Sequence, residues 1–255
     1  MNALLTTLLC ALVGTALAEI SPNIVGGSNA VAGEFPWQGS IQVRSGTSWF
    51  HICGCVLYST NKALTAAHCL SNSASSYRLV FGMLRMNNAD GTEQESSVSS
   101  YTNHPNYNGN AAGYPNDIAV LRLQTSMDTS SAAVGTISLA SGSNDYAGRT
   151  ATITGWGRLS GGGSTPNYLQ KVDMTVLTNS VCSSRWSGIS GATINSGHIC
   201  IEASGKSACS GDSGGPMVVS NTLTGITSWG ISSCSGTYPS VYTRVSNFYS
   251  WIQSQ

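Results

Sequence analysis

The sequence predicts an all-β fold, and the spacing of its apolar runs and its hydrophobic content support this prediction. Short apolar runs alternate with Gly-, Ser- and Asn-rich segments at the spacing of a sandwich or barrel, not of βαβ units. Hydrophobic residues make up 41% of the 255-residue chain, which is enough for a large core. The number of runs fits two β-barrel halves that meet near residue 130, although periodicity alone does not separate this arrangement from a single sandwich.

The strands are predicted from their apolar, β-branched and aromatic content, and the turns from their polar composition. Polar loops are predicted at 71–76 and 160–165. Val245, Phe248 and Ile252 recur at helical spacing, so a helix is predicted at the carboxyl end. The predicted strands lie in segments 48–59, 62–70, 77–84, 117–123, 150–159, 168–177, 215–220, 223–229 and 240–246.

The amino-terminal segment has the composition of a secretory signal peptide. Residues 3–14 are apolar but too few to span a bilayer, and residues 16–18 (Ala-Leu-Ala) give the small-x-small pattern of a cleavage site. We therefore expect residues 1–18 to be removed and the mature protein to be secreted. The alternative is that this run is a buried strand or helix of the fold. No other run is long and apolar enough for a membrane helix.

Composition also bears on the partners. Charged residues are 9% of the chain, and the formal net charge is zero. Because no strongly basic segment stands out, neither nucleic acid nor an anionic membrane is an expected partner.

Eight cysteines fit an oxidising compartment. Cys10 belongs to the predicted signal peptide, and the seven that remain allow three disulfides and one unpaired thiol. No CxxC or HxxxH spacing occurs, so no metal site is predicted.

Three short segments carry residue types that act together in nucleophilic catalysis. His68 lies in TAAHC, Asp117 in NDIAVLRL and Ser213 in GDSGGP. Each has a simpler explanation by itself: a packed core histidine, an aspartate that caps a strand, and a serine in a glycine-rich turn. A serine hydroxyl needs a neighbouring base to become a nucleophile, so the combination in one β-protein points to a catalytic triad.

With these motifs the chain resembles the trypsin/chymotrypsin family of serine endopeptidases over essentially all of residues 24–255. Further matching motifs are IVGG at 24–27, GWG at 155–157, SWG at 228–230 and a final Trp-Ile pair at 251–252. The resemblance implies a serine protease domain at 24–255, built as two six-stranded antiparallel β-barrels packed face to face, with a carboxyl-terminal α-helix.

The resemblance also implies the catalytic roles. His68 would be the general base, Asp117 would orient it, and Ser213 would be the nucleophile. The amides of Gly211 and Ser213 would form the oxyanion hole, which needs a backbone conformation that glycine adopts easily. No cofactor is expected.

An activation step is implied by IVGG. Residues 19–23 would be a propeptide, cleavage between Asn23 and Ile24 would release a new amino terminus, and Asp212 would pair with it. In digestive zymogens of the family a Ser and a His, matching Ser40 and His51, hold that aspartate before cleavage. Trypsin-activated relatives have Lys or Arg where Asn23 stands, so a non-tryptic activating protease is expected.

The primary specificity pocket follows from the same resemblance. Ser207 stands where trypsin-like members carry Asp, so a neutral pocket for Phe, Tyr, Leu or Met is expected. Gly230 would leave the entrance open, whereas Ser240 would intrude slightly, which keeps an elastase-like preference as the alternative. Trp186 matches a position near the pocket rim, or is simply packed. The expected substrate-binding residues are Ser207, Ser228, Trp229, Gly230 and Ser240.

The resemblance pairs Cys53 with Cys69, Cys182 with Cys200, and Cys209 with Cys234. Cys55 is left over and is expected to be a buried thiol; mispairing with Cys69 and an intermolecular bridge are the alternatives. Met83 occupies the first ligand position of the calcium loop found in many relatives, and a thioether suits that ion poorly. His104 and His198 are expected to be structural.

The expected function is therefore a secreted, zymogen-activated endopeptidase of chymotrypsin-like specificity, with a role in digestion. Its expected partners are protein and peptide substrates, an activating protease and protein protease inhibitors, and we expect a monomer. A catalytically silent binding protein is the alternative from another class, but the complete set of catalytic residues argues against it.

Overall fold

The computed structural model describes residues 24–255, so the predicted signal peptide at 1–18 and the predicted propeptide at 19–23 lie outside the described residues. In chain order the strands are β1 (Ser28–Asn29), β2 (Gln38–Ser45), β3 (Ser48–Ser59), β4 (Lys62–Thr65), β5 (Tyr77–Phe81), β6 (Gln94–Asn103), β7 (Ala119–Leu123), β8 (Ser138–Leu139), β9 (Thr150–Gly155), β10 (Gln170–Leu177), β11 (His198–Glu202), β12 (Pro216–Val219), β13 (Thr222–Trp229) and β14 (Ser240–Arg244).

The helices are short. The α-helices are α1 (Asn179–Arg185) and α2 (Tyr249–Ser254), and the 3-10 helices are Ile24–Gly26, Ala67–Cys69, Ala74–Ser76 and Val245–Phe248. The predicted carboxyl-terminal helix is thus confirmed, with its first turn in 3-10 geometry. Among the described residues no helix has the length and apolar character needed to cross a bilayer.

The strands close into two antiparallel barrels. The first has the order β2-β3-β4-β7-β6-β5, and β2 pairs with β5 to close it. The second has the order β9-β10-β11-β14-β13-β12, and β12 pairs with β9. The predicted fold of two six-stranded barrels and a terminal helix is confirmed, and the connecting segment 124–149 contains the predicted meeting point.

Apolar side chains of the strands fill the interior of each barrel. Leu57, Leu64 and Phe81 lie in the first core, and Ile153 and Tyr242 lie in the second. Residues of β13 and of the terminal helix pack into the first core, so the barrels share an apolar contact; they are Leu223, Ile226, Phe248 and Ile252.

The patterning does not predict helix α1 or five of the strands, namely β1, β2, β6, β8 and β11. Strand β6 has the sequence QESSVSSYTN, too polar to stand out, and it is held by its ladder to β5 and β7. In β2 the polar Gln38 and Ser40 are buried because each has a hydrogen-bond partner. The predicted strand at 62–70 ends at Thr65, where the chain turns into the 3-10 helix that carries His68.

Candidate active site

His68 and Asp117 lie side by side at the ends of two neighbouring strands of the first barrel. His68 lies just after β4, and Asp117 lies two residues before β7, which pairs with β4. The Nδ1 atom of His68 is 2.7 Å from Oδ2 of Asp117, and the His68 amide donates to Oδ1 over 2.9 Å. Since Nδ1 is engaged by a carboxylate, the other ring nitrogen, Nε2, is directed to the cleft that His68 lines.

Asp117 is almost fully buried and is held from the second barrel. The Ser228 hydroxyl donates to Oδ2 over 2.6 Å, and the Thr243 hydroxyl donates to the Asp117 carbonyl over 2.7 Å. Burial of a polar group is costly unless it is hydrogen-bonded, so the Ser228 hydroxyl and the His68 ring stabilise the buried carboxylate. We predicted Ser228 as a substrate-binding residue. The contact of Thr243 with Asp117 was not predicted, because no local motif distinguishes Thr243.

Ser213 lies on a tight turn that only glycines allow. Its carbonyl accepts from the Gly54 amide over 2.7 Å. Gly214 has a φ of +76°, and a Cβ there would overlap the Thr65 hydroxyl and the Gly54 carbonyl. Ser213 and His68 line two adjoining cavities that share residues 228–232, so both face one cleft between the barrels.

The turn before Ser213 leaves two amides open. Gly211 has a φ of +103°, and within the part of the chain that is described neither its amide nor that of Ser213 has a hydrogen-bond acceptor. The Gly211 carbonyl accepts from Nε2 of His51 over 2.9 Å, and the Ser40 hydroxyl lies 2.8 Å from Nδ1 of His51. Ser40 and His51 therefore hold the Gly211 peptide. The resemblance had implied that they contact Asp212 in the uncleaved zymogen.

Asp212 is buried against backbone groups. Its carboxylate accepts from the Gly157 amide over 2.8 Å and from the Cys209 amide over 2.9 Å. Burial raises its pKa to about 6, although these two hydrogen bonds lower it. A Cβ on Gly155 or Gly157 would overlap the carboxylate, so the backbone encloses it closely. Ile24 is fully buried in the second core, and Asn23 lies outside the described residues.

A cavity of about 130 Å³ opens beside Ser213. A Cβ on Gly230 would meet nothing within 4 Å, so the cavity entrance is unobstructed there. Ser207 and Ser240 are buried behind the cavity wall: their hydroxyls are 3.3 Å apart, and the Ala208 amide donates to that of Ser240 over 3.2 Å. None of the described residues that line the cavity is charged: Ala208, Cys209, Ser210, Ser213, Thr227, Ser228, Trp229, Gly230, Ile231, Ser232 and Cys234.

A second cavity of about 510 Å³ continues the cleft past His68. It is bounded by Tyr114 on one side and by Trp186, Ile189 and Trp229 on the other. The Trp186 ring is 4.9 Å from the rings of both Trp229 and Tyr238. Trp186 is therefore both a packed residue and part of the cleft, so the two interpretations of it are compatible.

The three expected disulfides are formed, namely Cys53–Cys69, Cys182–Cys200 and Cys209–Cys234. The first adjoins His68, and the third lines the cavity beside Ser213. Cys55 is a buried free thiol, and burial raises its pKa. Cys53, His68 and Cys69 lie close enough for metal ligation, but sulfurs joined in a disulfide do not act as thiolate ligands.

Comparison with known proteins agrees with this geometry. The family model described as Trypsin matches residues 24–252. The chain is 76% identical to a chymotrypsin-like serine proteinase of Haliotis rufescens, with all of both chains covered. It is 43% identical to fibrinolytic enzyme, isozyme C, of Lumbricus rubellus, over 90% of this chain and 98% of that one. It is 42% identical to trypsin delta of Drosophila melanogaster, over 98% and 97% of the two chains.

Proposed function

We propose, since the chain belongs to the trypsin family of serine proteases, that it is an endopeptidase that cleaves after large apolar residues. The observation that carries this proposal is the uncharged cavity beside Ser213, which is unobstructed at Gly230. Burial of a substrate cation in such a cavity would be unfavourable, whereas an apolar side chain gains from leaving water.

The proposed mechanism assigns one task to each catalytic residue. His68 takes the proton of the Ser213 hydroxyl as its oxygen attacks the substrate carbonyl carbon, and later gives that proton to the leaving amine. Asp117 stabilises the imidazolium through the Nδ1 hydrogen bond. Water then attacks the acyl-enzyme with His68 again as base, and Ser213 is regenerated.

The amides of Gly211 and Ser213 are proposed to bind the oxyanion. His51 supports this role, since it holds the Gly211 carbonyl and so fixes the direction of the adjoining peptide. Loss of one such donor typically slows the chemical step by about 100- to 1,000-fold. The backbones of Ser228 and Gly230, with Trp229 between them, are proposed to pair with the substrate as a short strand.

An elastase-like preference is the second candidate. The Ser207 and Ser240 hydroxyls, buried behind the cavity wall, lie 3.3 Å apart, and this contact favours a shallower pocket. A misfit of one methylene changes discrimination by about 10- to 200-fold, so the preference is expected to be graded.

We further propose that the protein is secreted and made as a zymogen, with residues 1–18 as signal peptide, 19–23 as propeptide and 24–255 as protease. The support is the buried Asp212 carboxylate close to the second core that holds Ile24; an ammonium group released at Ile24 would compensate that charge. Asn23, preceded by Pro22, argues for a non-tryptic activator, and trypsin treatment followed by amino-terminal sequencing tests this. Clean release of Ile24 by trypsin would contradict it.

The low charge and the proposed short propeptide are consistent with a digestive enzyme that acts as a monomer on dietary proteins and is blocked by protein inhibitors. The test is to digest an unfolded protein with the purified enzyme that begins at Ile24 and to sequence the products. Cuts after Phe, Tyr, Leu and Met, abolished by Ser213→Ala, are expected. No cleavage by an enzyme with a verified amino terminus would favour a silent binding protein.

A further inference from the structure

Segment 104–116 joins β6 to β7 and forms one wall of the large cleft cavity. It carries Tyr114 into that cavity and ends one residue before Asp117. Tyr114 and Asn116 have φ values of 47° and 59°, in the left-handed region that side chains other than glycine rarely adopt. Such conformations persist only where the surrounding contacts fix them. The contacts that hold this segment therefore set the shape of the cleft.

The base of the segment is anchored to the terminal helix. The His104 ring packs edge-to-face against Phe248, with 5.1 Å between ring centroids, and against Trp251 at 4.9 Å. The His104 amide donates to the Ile118 carbonyl over 2.9 Å. These contacts of His104 hold the base of the segment, whereas its tip is held by other residues.

The tip rests directly on the second barrel. The Gly113 amide donates to the Gly191 carbonyl over 2.9 Å. Gly113 has a φ of +77°, and a Cβ there would overlap the Thr193 carbonyl oxygen. Only glycine allows the two backbones to come this close.

His198 lies beneath this contact. It begins β11 and is almost fully buried. Its Nδ1 accepts from the Asn195 amide over 3.2 Å, so Nε2 carries the hydrogen of the neutral ring. Its Cε1 atom is 3.4 Å from the position of a Cβ on Gly113, and its ring meets that of Trp229 edge-on at 6.1 Å.

The buried surroundings of His198 favour the neutral ring. Burial lowers its pKa, and Arg244 lowers it further, whereas the Gly113 backbone and Asp117 raise it. A neutral ring keeps one donor and one acceptor, and these suit the Gly113 backbone and the Asn195 amide.

We propose that His198 is a positioning residue for extended peptide substrates: it supports Gly113 and so fixes the wall that carries Tyr114 relative to Trp229. This inference rests on the proposed endopeptidase function. A substrate with one amino acid before the cleaved bond fills only the cavity beside Ser213. A substrate with four such residues also crosses the larger cavity between Tyr114 and Trp229.

The test compares two substrates with the same fluorogenic leaving group, acetyl-Phe and acetyl-Ala-Ala-Leu-Phe. In His198→Leu, kcat/KM for the longer substrate is expected to fall by about tenfold or more, mainly through KM, because the wall is displaced. The value for the shorter substrate is expected to stay within about twofold. His198→Gln, which keeps an amide donor, is expected to recover part of the loss. Equal losses for both substrates would overturn the inference.

Two further variants separate positioning from stability. Ile199→Val, at the adjacent core position of the same strand, is expected to lower the melting temperature without changing the ratio between the substrates. Gly113→Ala, on the loop, is expected to reproduce the selective loss and decides the matter if His198→Leu does not fold. If the ratio of kcat/KM between the longer and the shorter substrate is unchanged in Gly113→Ala while the parent is active, the inference is overturned but the proposed function is not. A parent that cleaves neither substrate would overturn the proposed function as well.

Discussion

At the scale of single residues, Asp117 links the two barrels chemically. It belongs to the first barrel, where it holds His68, yet two hydroxyls of the second barrel, those of Ser228 and Thr243, hold it. A relative shift of the barrels would therefore disturb the orientation of the proposed base. This explains how a site between two barrels can keep a fixed geometry.

Ser228→Ala is expected to reduce kcat by about tenfold, since a hydrogen bond to a charged group contributes about 1.5–3 kcal/mol. The variant leaves one oxygen of a buried carboxylate short of a donor. Steady-state kinetics on one peptide substrate provide the measurement. Thr224→Val is the matched control, because it removes a buried hydroxyl bond in the same strand at a distance from Asp117. Equal kcat values for parent and Ser228→Ala would contradict the prediction.

Asp212 predicts a pH dependence of the uncut precursor. Its pKa is raised from an ordinary value of 3.8 to about 6, so the folded chain binds a proton more tightly than the unfolded chain. Stability should therefore fall as the pH rises from about 4 to 6, by about 3 kcal/mol in total. Urea denaturation of precursors carrying Ser213→Ala measures this.

Asp212→Asn in the same background provides the comparison. The difference in unfolding free energy between aspartate and asparagine precursors should change with pH over that window and stay flat above it. A difference that is independent of pH would show that the carboxylate is compensated before cleavage.

At the level of secondary-structure elements, the loop between β5 and β6 contains an ion pair between Arg85 and Asp90. Arg85 Nε is 2.5 Å from Oδ1 of Asp90, and Oδ2 accepts from the amides of Leu84 and Arg85. Glu93 accepts from the amides of Asp90 and Gly91. Burial alone would raise the pKa of Asp90, but Arg85 and the two amides lower it overall.

Arg85→Gln is expected to lower the melting temperature, because Asp90 then organises the loop without a counter-charge. Added calcium is expected to leave the parent's melting temperature unchanged, since Met83 occupies the position that the resemblance assigns to the first calcium ligand, and a thioether binds calcium poorly. Arg185→Gln is the matched control: it breaks an exposed pair with Glu202 and should have a smaller effect. A marked rise in melting temperature with calcium would contradict this account of the loop.

The strands differ in whether the sequence predicts them. Short apolar runs, such as β7 and β13, can be predicted, because their own side chains supply the apolar surface that the core buries. The polar β6 depends on its neighbours and cannot. Ser213 is recognisable because its turn chemistry is local, whereas the bond from Thr243 to Asp117 joins residues 126 positions apart, and nothing in the sequence marks it.

At the scale of the whole molecule, the cleft takes its shape from contacts between the barrels. The first barrel contributes His68, Asp117 and Tyr114, and the second contributes Ser213 and the lining of the cavity beside it. Neither barrel alone contains the proposed machinery. Substrate selection is therefore expected to depend on how the barrels meet as well as on the residues that line the cleft.

Cleavage of matched peptides shows directly whether the proposed specificity pocket is neutral and open. The enzyme that begins at Ile24 is assayed on four matched peptides that end in Phe, Leu, Ala or Arg before the same leaving group. We expect the highest kcat/KM for Phe or Leu and the lowest for Arg, because the described lining of the cavity holds no charge. A preference for Arg would contradict the account, and a preference for Ala would mean that Ser207 and Ser240 make the pocket elastase-like.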